Sequence, residues 1–276
     1  MINRSRQGLP YFTHASLDTY PDLVNFTTTN KGGFSNNEYG GLNVSFAVGE
    51  ESMLVAKNRN LIAEVFDLDP QKLLFGRQIH EQAIRVIKQD FFKRSPEERL
   101  QRLMAVDGLI TDLKDVCLCV LSADCAGILL YDPGKSVIGA IHAGWRGTVK
   151  KIATNAIHIM CHKFGCQPKD IVAVMGPCIS MDSYEVGDEV ASGFAEIFGE
   201  DTALIDRSYP KPHVDIAAAN RQLLINSGLG PSNITLSEVC TYKSNDQFYS
   251  ARRGDKGRFC SGIMLSNRNG ASNRKR

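Results

Sequence analysis

Three short apolar runs lie within residues 116–142, VCLCVLS, GILLYD and SVIGAIH, and they restrict this chain more than any other feature. Each has the length and composition of a strand, and the links ADCA and PGK are too short to hold a helix. A parallel crossover needs a dozen or more residues, so local antiparallel or mixed pairing is expected. Cys125 follows the first run and His142 ends the third. Pairing of neighbouring strands would then place both side chains at one sheet edge.

The rest of the chain mixes the two periodicities. LVNFTTT (23–29) reads as a strand, and the Gly- and Asn-rich NKGGFSNNEYGG after it as a loop. Leu54, Asn58, Leu61, Ile62, Val65 and Phe66 fall on one helical face, which DLDP ends. KLLFG and AIRVI read as strands flanking RQIHEQ. After His142 the segment GTVKKIATNAIHIMCHKFG predicts one helix, with Val149, Ile152, Ala153, Ala156, Ile157, Met160 and Cys161 at spacings of three and four and Gly165 as its C-cap. IVAVMG, NITLSEV and RFCSGIML read as later strands, and GDEVASGFAEIFG and VDIAAANRQLLINSGLG as two further helices. No linker or repeat interrupts residues 9–265. The expectation is an α+β fold, a single domain of mixed β-sheets packed between helices.

Composition excludes some classes of function. A formal net charge of +2 gives no global field for gripping nucleic acid, and the one concentrated basic run is the C-terminal SNRNGASNRKR, read as a solvated, frayed end. No apolar run reaches the length of a membrane helix, and the N-terminus lacks the apolar core of a signal peptide, which makes the cytoplasm the expected location. The eight cysteines include no CxxC pair, and Cys117 and Cys119 alternate along one run like small core residues, so most are expected reduced and buried.

Against this background His80, in GRQIHEQ, joins Cys125 and His142 as a candidate three-ligand zinc site with a fourth position for water or substrate. The gaps separating positions 80, 125 and 142 far exceed those of short zinc motifs, so a buried structural cysteine beside unrelated histidines stays open as the alternative. HAGWRG sets Trp145 and Arg146 between glycines at the start of a helix, where free N–H groups favour an anion. SARRGDKGRF adds Arg252, Arg253 and Arg258 as a second anion clamp or a solvated basic hairpin. Asp124, beside Cys125, either orients a ligand histidine or shuttles a proton, or only caps a turn. GPCISMDSYEVGDEV offers Cys178, Tyr184 and Glu185, with Tyr184 expected to pack rather than react.

The blocks GRQIHEQ, DGLIT, SADCAGILLYDP, GAIHAGWRGTV, GPCISMDSYEVGDEV, VDIAAANRQLL and CTYKSNDQFYSARRGDKGRF follow one another as in the laccase-domain family, also called the multicopper polyphenol oxidase or purine nucleoside phosphorylase family, which this chain resembles from about residue 24 to 265. The resemblance implies a single α and β domain, assigned to residues 1–267, and the basic composition of residues 268–276 marks them as a tail. It also implies a Zn²⁺ held by His80, Cys125 and His142, phosphorolysis of purine nucleosides, and deamination of adenosine. Adenosine, inosine, guanosine and methylthioadenosine are the candidate substrates, with phosphate as co-substrate and Arg146, Arg252, Arg253 and Asp124 as the candidate substrate- and phosphate-binding residues. The sequence departs from the family where Asn30 replaces the usual Arg, with Lys31 beside it, and where Ala47 replaces a frequent His. Two other chemistries compete: a thiol hydrolase or deamidase using Cys125 with His142 as its base, and copper-dependent phenol oxidation, for which six histidines are few. A non-enzymatic binding module is a further alternative, with no sequence feature in its favour.

Overall fold

The three apolar runs do form strands, but they divide between two sheets. In the computed structural model, which describes residues 1–267, β7 (Cys117–Ser122) belongs to one sheet, whereas β8 (Ala126–Asp132) and β9 (Val137–Ala143) pair antiparallel in the other. The expectation of local pairing therefore holds for the second and third runs and fails for the first. The basic tail at 268–276 lies outside the described residues.

The first six-stranded sheet runs β1 (Ile2–Arg6), β2 (Leu9–Thr13), β3 (Leu23–Thr28), β14 (Phe259–Leu265), β7, β4 (Leu73–Phe75). The second six-stranded sheet runs β13 (Ile234–Leu236), β10 (Val172–Met175), β8, β9, β6 (Gly108–Thr111), β5 (Ile84–Ile87), and β11 (Ile205–Asp206) with β12 (His213–Val214) makes a small ribbon. The helices are α1 (Ala15–Asp18), α2 (Ser52–Val65), α3 (Pro96–Arg102), α4 (Trp145–Val149), α5 (Ile152–Phe164), α6 (Asp188–Phe198) and α7 (Ile216–Asn226).

The apolar runs are continuous because both faces of both sheets are covered. Leu118 and Val120 of β7 meet Leu129 and Tyr131 of β8 and Ile138 and Ala140 of β9 between the sheets. The opposite face of the second sheet, through Ile128, Leu130 and Ile141, packs on Ile157 and Met160 of α5, Phe194 of α6 and Leu223 of α7. The outer face of the first sheet, including Cys117, Cys119 and Cys260, packs on Ile62 and Val65 of α2. The order helix, sheet, sheet, helix is the α+β domain of mixed sheets packed between helices. All eight cysteines are free, with Cys125 and Cys161 half-buried and the rest buried.

Four differences from the sequence reading have local causes. The helix expected after His142 is broken into α4 and α5 by Lys151, which adopts a left-handed conformation at φ 59°. The N-terminal hairpin of β1 and β2 was not expected, because β1 is polar and largely exposed and β2 carries a proline at its second position. The short helix α3 carries a capping box, Ser95 with Glu98, that was readable in SPEE. KLLFG and AIRVI are strands as expected, but β4 edges the first sheet and β5 the second, so the segment between them crosses from sheet to sheet.

That crossing and the one between β7 and β8 occur at the same rim. β4 lies parallel to β7, so both strands finish on one side. Strand β8 begins there, antiparallel β9 ends there, and β6, antiparallel to β9, begins there beside parallel β5. The rim thus collects residues from distant parts of the chain.

Candidate metal centre

Asp107, immediately before β6, organises this rim. Its side chain is 0% exposed, and its two oxygens accept hydrogen bonds from three successive backbone amides of the first crossing: Ile79 N (3.1 Å), His80 N (2.8 Å) and Glu81 N (3.0 Å). This holds His80 at φ 64°, a left-handed conformation uncommon for a side chain other than glycine. Gln78 fixes the same turn to the first sheet, donating to Leu121 O and accepting from Leu121 N. The sequence signal for Asp107 was present in DGLIT, an acid at the mouth of an apolar strand, but it was not singled out.

Asp107 also reaches the third strand of the set. Its Oδ1 lies 3.0 Å from Nδ1 of buried His142, and its backbone carbonyl accepts from His142 N at 2.7 Å. With the carboxylate as acceptor, Nδ1 carries the proton and Nε2 is left to face the site. Register places His142 opposite Gly127, so Cys125 just before β8 comes alongside. His80 and His142 meet edge to face with centroids 4.9 Å apart. One ligand atom from each of His80, Cys125 and His142 lies within 4.8 Å of the others.

The electrostatics favour a thiolate. Burial pushes the Cys125 thiol up, but the charge of His142 and hydrogen bonds from His142 and His80 outweigh it and bring the thiol down to about 6. Burial pulls the His142 imidazolium down, and the Cys125 charge together with the Asp107 bond reverses this, holding it at about 9. Burial likewise opposes ionisation of Asp107, yet the His142, Glu81 and Ile79 hydrogen bonds keep it below the usual carboxylate range. Gly144 completes the enclosure: a Cβ there would stand 2.9 Å from Cys125 Sγ and 3.3 Å from His80 Cδ2.

The remaining sequence candidates fall into two groups. Arg146 is exposed with its guanidinium over the Trp145 ring (4.4 Å to the centroid), and Arg252 lies 5.2 Å over Tyr184 with Nη1 donating to Glu185 O at 2.6 Å. Arg253 instead braces its own loop, donating to the carbonyls of Thr241, Tyr242 and Phe248 and pairing with Asp255, and Arg258 donates to the carbonyls of Asp255, Lys256 and Gly257. Asp124, at φ 94°, accepts from Thr241 Oγ1 and Arg252 N, both at 2.7 Å. Its carboxylate ties the loop of Cys125 to the arginine loop, and orientation of a ligand histidine falls to Asp107. Cys178 is buried, and Glu185 is exposed and pairs with Lys211. Asn30 donates to Asn245 O while its buried Oδ1 has no partner; Lys31 and Ala47 are exposed.

Comparison with known proteins agrees with this architecture. A purine nucleoside phosphorylase of Bacteroides thetaiotaomicron is 38% identical, with 96% of this chain and 98% of that protein covered. Adenosine deaminase RL5, from an unknown prokaryotic organism, is 35% identical over 83% of this chain and 87% of its own length. A crystal structure of YlmD from Geobacillus stearothermophilus superposes with a TM-score of 0.85 at 27% identity, covering 96% of this chain and 98% of that one. The model of the multi-copper polyphenol oxidoreductase laccase family matches residues 24–266, and the chain belongs to that family.

Proposed function

We propose that the protein is a zinc-dependent purine nucleoside phosphorylase that also deaminates adenosine. The observation that carries this reading is the convergence of His80, Cys125 and His142 within 4.8 Å, in a chain whose relatives include proteins named purine nucleoside phosphorylase and adenosine deaminase.

The donor set suits zinc. One thiolate and two imidazoles are the soft and borderline ligands this ion takes, Asp107 presets the His142 tautomer, and Gly144 leaves the space beside Cys125 and His80 unobstructed. When bound, the metal supplies Lewis-acid polarisation in a site that would otherwise hold only a thiolate and imidazoles. Copper oxidation of phenols is disfavoured because it calls for several ligand clusters, and among the described residues this trio is the one such group.

In phosphorolysis, a phosphate oxygen bonds to C1′ of the ribose as the C1′–N9 bond breaks. The electron pair leaves with the purine, which takes up a proton, giving free base and ribose 1-phosphate. Arg146 and the unengaged N–H groups of Arg252 are the proposed phosphate contacts, whereas Arg253 and Arg258 hold the loop that presents Arg252. In deamination, water adds at purine C6 and the exocyclic nitrogen departs as ammonia.

A second reading rests on a specific observation: Cys125, His142 and Asp107 also have the order of a nucleophile, base and orienting acid. One experiment separates the two. Metal-defined protein is incubated with adenosine, inosine, guanosine and methylthioadenosine with and without phosphate, and products are resolved chromatographically. Free base is expected only with phosphate, and inosine from adenosine without it. Rapid alkylation of Cys125 in zinc-loaded protein, or undiminished zinc in Cys125→Ser, would sink the zinc reading.

A further inference from the structure

We infer that the hydroxyl of Tyr184 is a third donor of the phosphate subsite, acting beside Arg146 and Arg252; this rests on the phosphorylase reading. Tyr184 follows the turn Met181–Ser183, and its carbonyl accepts from Val214 N, which anchors its backbone to the small ribbon. Its ring packs, half-buried, against the core beneath α5–α7. The sequence reading stopped at that packing. Among the described residues, however, no group hydrogen-bonds its hydroxyl.

What surrounds the hydroxyl points to an anion. The Arg252 guanidinium covers the ring, with Nη1 fixed on Glu185 O and the backbone amide of the same residue fixed on Asp124 Oδ2. Asp124 in turn accepts Thr241 Oγ1 and adjoins Cys125, while Ile179 N donates to the Asp124 carbonyl, so the Tyr184 loop, the arginine loop and the metal centre are tied together. The charged groups acting on the hydroxyl are Cys125, Arg252, Asp124 and Arg146, and burial, the largest influence, pushes its ionisation upward, so it stays a neutral donor at pH 7. Each oxygen of Asp124 already accepts one hydrogen bond, from Thr241 Oγ1 and from Arg252 N. The free N–H groups of Arg252 over the ring, the exposed Arg146 and the free O–H of Tyr184 are all donors, and an acceptor-rich ligand such as inorganic phosphate matches them. A hydroxyl aimed instead at the nucleoside would serve both reactions alike, which separates the two possibilities.

The test compares wild type with Tyr184→Phe, which removes one oxygen and retains the ring. Initial rates of inosine phosphorolysis are measured against phosphate, and adenosine deamination is followed in phosphate-free buffer. Trp145 is the sole tryptophan and is stacked by Arg146, so its emission reports phosphate binding directly. The expected result is a KM for phosphate raised about tenfold, with kcat changed far less, and a half-saturating phosphate concentration for the Trp145 response raised by a similar factor. Phosphorolysis should lose about tenfold more kcat/KM for phosphate than deamination loses for adenosine. An unchanged phosphate KM, or equal losses in the two reactions, overturns the assignment; equal losses would move the hydroxyl to the nucleoside. If wild type makes no ribose 1-phosphate, the phosphorylase reading fails, and the Trp145 titration still decides whether Tyr184 contributes to an anion site.

Discussion

Asp107→Asn tests the reasoning about the metal centre most directly, because it changes one atom's chemistry and leaves the shape intact. The carboxylate accepts from His80 N and His142 Nδ1 on Oδ1 and from Ile79 N and Glu81 N on Oδ2. An amide cannot satisfy both pairs. If its nitrogen faces Ile79 and Glu81, two amides of the His80 turn lose their acceptor. If it faces His80 and His142, the His80 amide is opposed by a donor and the imidazole must shift its proton to Nε2, the nitrogen needed for metal. Two hydrogen bonds to a charged acceptor at about 1.5–3 kcal/mol each give roughly 3–6 kcal/mol, which overlaps the 3–5 kcal/mol typical of breaking a buried charged pair.

The variant should unfold on the order of 10 °C below wild type and bind zinc about 10–100-fold more weakly. Chelator competition measures the affinity, and hydrogen exchange measures the turn independently of metal, through the amides of Ile79, His80 and Glu81. Wild-type affinity together with wild-type protection of those amides would refute the role given to Asp107.

Two further outcomes follow from the geometry of the same site. Gly144→Ala should weaken zinc binding about tenfold or more while the unfolding midpoint stays near wild type: the backbone at φ −79°, ψ 177° accepts any residue, and the added Cβ would strike Cys125 Sγ and His80; unchanged affinity in chelator competition counts against the enclosure. Zinc binding to metal-free protein should release about one proton in unbuffered titration between pH 6 and 9, with apparent affinity rising about tenfold per pH unit, because the thiolate already exists there while His142 must lose a proton to bind. For the metal-free protein the signs are opposite at the two ends. The thiol, lowered from 9.0, contributes stability that is lost as pH falls through about 6, and the imidazolium, raised from 6.5, contributes stability that is lost as pH rises through about 9. Flat stability across both limits would remove the pairing.

Much of the fold was legible because burial on both faces writes long apolar runs into β7, β8, β9 and β14, and because caps such as Gly165 and Asp215 mark helix ends. What apolarity cannot encode is sheet membership. VCLCVLS and GILLYD look alike and are separated by four residues, ADCA, yet they lie in different sheets. The break at Lys151 was equally hidden, since the apolar spacing continues through it and only the backbone turns left-handed.

This ambiguity explains why positions 80, 125 and 142 show no metal-binding spacing. In a short-loop zinc site the intervening residues set the geometry, so the gap is the signature. Here strand pairing sets it. Parallel pairing of β4 with β7 sends two chain passages off the first sheet at one rim, and antiparallel pairing of β8 with β9 returns His142 to that rim. Insertions elsewhere in the sequence would alter the gaps and leave the ligands in place. The invariant is positional: Cys125 lies just before β8, His142 next to the last residue of β9, and His80 in the turn between β4 and β5, all at the shared rim. Asp107 lies immediately before β6, and a search for acids, histidines and cysteines at apolar strand ends would have found it with Cys125 and His142, whereas His80 stands in the turn that Asp107 holds.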